Sequence, residues 1–181
     1  MGESRTELLH VRVQGVKLAN KDGQGGIADP FLKLLALPVK TLADYETAHK
    51  SMDDTKPKEY NVELKKTEVI NNNENPQWKE FEVDMDKLIA CFPDDGIKQK
   101  SDLYLDTKFL IECWDHDHVT TNDEIGWIVT TVRQLCSMQP LILKDRTGGN
   151  TPKPGSLEII DIKIESKEAS KAEAKKEEVK K

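Results

Sequence analysis

Apolar residues in this sequence return at every second position, in short runs. Leu9, Val11 and Val13 fall on one side of an extended chain while His10 and Arg12 fall on the other. That is the period of a half-buried strand. Phe81 and Val83 alternate in the same way with Glu80 and Glu82 across residues 78–83, and Phe109, Ile111 and Cys113 repeat the pattern. Further strands are predicted over 31–37, 67–70, 125–129 and from Leu157 and Ile159 on to Ile162 and Ile164. The last run keeps one apolar face only if a bulge falls between Ile160 and Asp161. Turn-forming residues separate the runs at 20–26, 71–76 and 145–155, and 132–138 reads as a short helical turn. Short strands with turns between them predict an all-β fold, an antiparallel eight-stranded β-sandwich.

The 181 residues fit one domain over 1–165, large enough to bury a core without cross-links. Two polar stretches, about 38–60 and 84–106, read as insertions; the first carries a short helix around 42–51, and the second an apolar patch including Leu88 and Ile89. Residues 166–181 hold lysine and glutamate with no aromatic residue, the composition of a solvated, marginally helical tail. Cys91, Cys113 and Cys136 are odd in number and lack CxxC spacing, which points to a reducing, cytoplasmic setting rather than a disulfide framework. A net charge of −6 is unfavourable for nucleic acid. No run approaches the ~20 apolar residues of a spanning helix. Residues 1–6 match the loose myristoylation pattern, although Glu3 beside Gly2 is chemically unfavourable for it. No nucleophile–base pair or phosphate-cradling motif is present, so a binding module is expected rather than an enzyme.

Chemistry concentrates in 114–123, where Asp115, Asp117 and Asp123 fall within nine positions. In extended geometry Asp115 and Asp117 share the face of Phe109, Ile111 and Cys113 and point into one pocket. Asp22 and Asp29 flank a second, glycine-rich loop. Five carboxylates suit calcium, which takes 6–8 hard oxygen ligands. The loop is no EF-hand, because the sixth position from Asp115 is Thr120 and the twelfth is Gly126. His116 and His118 raise zinc as an alternative, though alternation turns both rings away from Asp115 and Asp117. A glycosidase carboxylate pair and a purely structural acidic rim are the remaining readings.

Three ordered stretches carry a family resemblance: "KDGQGGIADPFLKL", "KTEVINNNENPQWKEFEV" and "FLIECWDHDHVTTNDEIG". Together they resemble a C2 domain over roughly 7–165. The "TEVI", the asparagine run and "NPxWKxFxV" are most similar to the C2 domains of copines, here as a stand-alone module without their von Willebrand A domain. The resemblance implies the permuted topology found in copines and phospholipases. It also implies that Asp22, Asp29, Asp115, Asp117 and Asp123 are calcium ligands, with the His116 carbonyl added. The implied function is calcium-dependent binding to anionic phospholipid membranes. Phosphatidylserine would complete the metal shell, and phosphoinositides would meet Lys33, Lys65, Lys66 and Lys79. Gln24, Ile27 and Val119 stand at the loop tips facing the membrane. The alternative is a protein-interaction or scaffold module docking a partner through its insertions and tail.

Overall fold

The computed structural model describes residues 5–21, 26–36, 62–90, 105–118, 121–145 and 153–168. Eight strands run β1 Arg5–Val16, β2 Pro30–Ala36, β3 Val62–Lys66, β4 Phe81–Asp84, β5 Lys108–Asp115, β6 Asp123–Thr131, β7 Leu141–Ile142 and β8 Ser156–Glu168. They form two four-stranded sheets, β4-β1-β8-β7 and β3-β2-β5-β6, with antiparallel pairing throughout. The β-sandwich expected from alternation is therefore present. β1 itself runs into the first acidic loop, and it pairs with β8 along its whole length.

Alternation holds where the core is built. Leu9, Val11, Val13, Leu32, Leu34, Phe81, Val83, Phe109, Ile111, Cys113, Leu157 and Ile159 are all buried between the sheets. Ile160 is the extra residue of a β8 bulge, since Arg12 pairs with Asp161 and Val13 with Ile159. That shift restores Ile162 to the inner face. β5 goes further than its odd positions indicate, with seven of its eight residues buried. Its even positions cover a second small cluster on the outer face, where Leu110 packs with Leu35 and Trp127.

Three boundaries differ from the sequence reading. Residues 67–70 form no strand, and β3 lies just before them. Thr67 accounts for the change: its hydroxyl takes the Leu32 N–H at 2.9 Å, in place of a backbone carbonyl. The segment still follows β2 through Thr67 N–H to Leu32 O and Ile70 N–H to Pro30 O. The stretch 84–106 is not an insertion from its start. Asp84 ends β4, and α1, Met85–Ala90, buries Met85 and Leu88 in the core. β8 continues to Glu168, three residues past the predicted end of the domain at 165, because β1 offers backbone partners as far as Arg5. The helix expected at 42–51 and the tail from 169 onward lie outside the described residues.

The short helix α2, Val132–Cys136, is specified locally. Thr131 accepts from Gln134 N–H at 3.1 Å while the Gln134 side chain accepts from Thr131 N–H at 3.0 Å, a reciprocal capping box. Arg133 grips Asp106 through Nε at 2.7 Å and Nη2 at 3.0 Å. That contact holds the Asp106 carboxyl below its ordinary range, chiefly through the hydrogen bond.

The asparagine-rich turn at 71–76 reaches both sheets' ends. Gly15 donates to Pro76 O at 2.8 Å, and a Cβ on Gly15 would meet Leu18 Cδ1 at 2.7 Å and Pro76 Cδ at 2.9 Å. Only glycine permits that approach. Trp78 is buried and donates its indole N–H to Pro30 O at 3.3 Å. This turn thereby fixes where β2 begins, one residue after Asp29.

Candidate functional site

Asp115 is the end of β5, with Pro30 of β2 on one side and Asp123 of β6 on the other. Its side chain is completely buried. Oδ1 accepts the Asp29 N–H at 2.7 Å, and Oδ2 accepts the Lys21 N–H at 3.3 Å. One carboxylate thus holds both flanks of the glycine-rich loop. Asn20 closes the base further by donating to Gly26 O. Asp22 and Gln24 lie between these flanks, outside the described residues.

Asp29 is wired in turn. Its Oδ1 accepts Asn72 N–H at 2.6 Å, its carbonyl accepts His116 N–H at 3.1 Å, and its Oδ2 lies 3.8 Å from His118 Nε2. Asn72 adopts φ 51°, a left-handed conformation that asparagine tolerates better than most residues. The loop between β5 and β6 turns on Asn122, whose side-chain oxygen accepts Asp117 N–H at 3.1 Å and lies 3.0 Å from His116 Nδ1. Asp123 is exposed at the start of β6. Asn72, Asn122 and the Lys21 N–H were not singled out from sequence. Asn72 was legible only as part of the turn-rich run at 71–76, and Asn122 only as part of the stretch "FLIECWDHDHVTTNDEIG".

Parity carried the histidines and Asp117 only as far as extended geometry lasts, and β5 ends at Asp115. His116 does turn outward, edge-on to Phe31 with ring centroids 6.3 Å apart. His118 instead comes back toward the acids, next to Asp29. Its expected orientation away from the site is corrected by the loss of strand geometry at His116.

The donor set here is hard oxygen. Each carboxylate offers about four lone-pair positions, so the N–H bonds to Asp29 and Asp115 leave capacity for a cation. The field is negative as well: the buried Cys113 thiol is pushed well above its usual range, first by burial and then by the charges of Asp115 and Glu124. Among the described residues, no three acids, histidines or cysteines already converge at metal-holding distances. Asp29, Asp115, Asp117 and Asp123 nevertheless sit at one end of the sandwich. The carboxylate donors and the field therefore fit a divalent cation.

The predicted lysine patch divides. Lys33 and Lys66 are direct cross-strand partners on the outer face of β2 and β3. Lys66 Nζ lies 4.4 Å from the Phe31 ring centroid, and Lys33 Nζ lies 4.7 Å from that of Trp114. Trp114 is oriented by donating to Glu112 Oε2 at 2.9 Å. Two ammonium groups thus rest on an aromatic floor that begins beside Pro30 and Asp115. Lys65 does not join them, because it pairs with Leu34 on the opposite parity. Lys79 lies outside any strand, two residues before β4, where it lines a shallow groove with Arg12, Gln14 and Gln77. Ile27 is 43% exposed; Val119 lies outside the described residues.

A family model described as "C2 domain" matches residues 7–147. The solved structure "BON1-C2B" aligns at TM-score 0.60 and 18% identity, covering 88% of this chain and 92% of its own. A C2 domain of plant Extended Synaptotagmin 1 aligns at TM-score 0.50 and 22% identity, covering 91% and 97%. At such identities these likenesses speak for the fold.

Proposed function

This chain belongs to the C2 domain family, and from that premise we propose that its acidic end binds calcium and that the loaded end docks on anionic phospholipid. The observation that carries this reading is Asp115, a wholly buried carboxylate beside Asp29 that ties both flanks of the first loop. Asp29, Asp115, Asp117 and Asp123, with Asp22 and the His116 carbonyl, are the groups to hold the ion. Calcium supplies a positive charge with room for further oxygen ligands, which a phosphatidylserine headgroup provides. Empty, the same end repels an acidic bilayer.

Lys33 and Lys66 extend the docking surface sideways and favour phosphate-rich headgroups such as phosphoinositides. Their ammonium groups lie over Trp114 and Phe31, a cation–π seat that holds two positive charges side by side. Ile27 adds shallow apolar contact. No helix among the described residues is long and apolar enough to cross a membrane, and the proposed association is peripheral and reversible, from the cytoplasm. On this reading the chain is a binding module and not an enzyme. The narrower likeness to copines rests on the motif run at 67–83 and the late Gly155-Ser156-Leu157 strand, and the names of the matched structures do not carry it.

Sedimentation with phosphatidylserine vesicles tests the proposal. The chain pellets in calcium and stays in solution in chelator, and Asp117→Asn abolishes the difference. Equal pelleting in calcium and chelator overturns it.

A further inference from the structure

β1 and β8 are the longest strands, and β4 and β7 cover only parts of their free edges. On β8 the partner strand β7 meets Ser156 and Leu157 alone. From Glu158 to Glu168 that edge has no strand beside it among the described residues. A strand edge that no other strand covers is a template for another strand.

Charge then selects what can pair there. Asp161, Lys163 and Glu165 follow one another on the outward face, opposite Arg12, His10 and Leu8 of β1. Lys163 and Glu165 are both about half exposed, and their side chains pair within the strand at 2.8 Å. Between them Ile164 is 42% exposed. We propose that this edge binds a second copy of the same chain, by antiparallel β8–β8 pairing with Ile164 on the two-fold axis.

In that register Lys163 falls opposite Glu165 of the second copy, twice by symmetry, and the Asp161 position falls opposite Lys167. Opposite charges placed directly across a strand pair stabilise it, and like charges destabilise it. Moving the axis by one residue reverses the sign of the effect. Centred on Lys163, the pairing sets Lys163 against Lys163 and Asp161 against Glu165. Centred on Glu165, it sets Glu165 against Glu165 and Lys163 against Lys167. The alternating charges that would repel most strands are thus complementary to this strand itself in one register. The contact is isologous, so it closes at two copies. β8 starts beside Val16, at the acidic end, and finishes beside Arg5. Antiparallel pairing about Ile164 therefore places the two acidic ends at opposite extremes of the dimer.

Sedimentation equilibrium of the full chain, without lipid or calcium, reads the association directly. The expected mass rises with concentration toward twice that of one chain. Lys163→Glu weakens association by about ten-fold or more, and Lys163→Glu combined with Glu165→Lys restores it, with thermal melts confirming that both variants fold. Cysteine placement reads the register. Cross-strand Cα separations of about 4.5–5.5 Å lie within disulfide range, so Ile164→Cys in a background carrying Cys91→Ser and Cys136→Ser cross-links on mild oxidation. Ile160→Cys in the same background does not, because its two copies lie about 27 Å apart. A single-chain mass at every concentration overturns the proposal, as does a double charge swap no better than Lys163→Glu, or cross-linking by Ile160→Cys as fast as by Ile164→Cys.

Discussion

The acidic end and the Lys33–Lys66 face adjoin one another but hold their charges in opposite ways. At the acidic end the carboxylates are structural members: Asp115 takes two backbone N–H groups and Asp29 takes a third. On the basic face the ammonium groups lie over Phe31 and Trp114, whose burial is secured by the sheet beneath. Removing a charge from the first region should disturb loops. Removing one from the second should leave the fold alone and change only what the surface attracts. On the proposed reading a cation at the acidic end meets carboxylates already held by backbone N–H groups, whereas an anion on the basic face meets ammonium groups seated on aromatic rings.

The largest expected contrast is in thiol reactivity. Cys113 lies under the acids, buried and pushed up in pKa by burial and then by Asp115 and Glu124, while Cys136 is exposed. Alkylation of Cys136 should outpace that of Cys113 by about a thousand-fold or more, since Cys113 reacts only through opening of the core. The sign of the linkage follows. The folded state keeps this proton to higher pH than the unfolded chain, so its contribution is intact below the ordinary thiol range and stability declines as pH climbs above about 8.5. Denaturant titrations at pH 7 and pH 9.5 check that slope.

Asp115→Ala comes next. It strands the Lys21 and Asp29 N–H groups, each costing roughly 1–3 kcal/mol when buried, so a loss of about 2–4 kcal/mol is expected in urea unfolding. Asp117→Asn, at a carboxylate that holds no backbone N–H among the described residues, should stay within about 0.5 kcal/mol of the parent. Similar losses for both would erase the distinction between wired and unwired acids. Lys33→Ala with Lys66→Ala should leave the melting temperature unchanged and weaken vesicle binding by about 1 kcal/mol per lysine, whereas Lys65→Ala should do less. Smallest is Arg133→Ala, which removes an exposed pair with Asp106 far from both regions. Its effect on urea unfolding should be the least of the set, as for an exposed, solvent-screened pair, with no change in vesicle binding.

The sandwich was legible because its core strands alternate and because a bulge was demanded at Ile160. Thr67 was not legible, since nothing in a threonine announces that its hydroxyl will replace a ladder carbonyl. α1 was visible only as an apolar patch around Leu88 because, of its described side chains, only Met85 and Leu88 reach the core. At the site, alternation placed Asp115 correctly on the face of Cys113. It failed for His118, because extended geometry stops at Asp115. The lysines divided for the same kind of reason: Lys33 and Lys66 meet only through strand pairing, and Lys79 lies in the segment before β4, away from that pair. Pairing and loop conformation are properties of distant residues, which period alone cannot supply.

Calorimetric titration of calcium, in the presence and absence of phosphatidylserine vesicles, tests the central claim most directly. If lipid completes the ion's shell, the two ligands are linked and each raises the affinity of the other. The account predicts weak calcium binding to the chain alone and at least ten-fold tighter binding with vesicles present. Equal affinities in the two titrations, or no calcium binding in either, would contradict it.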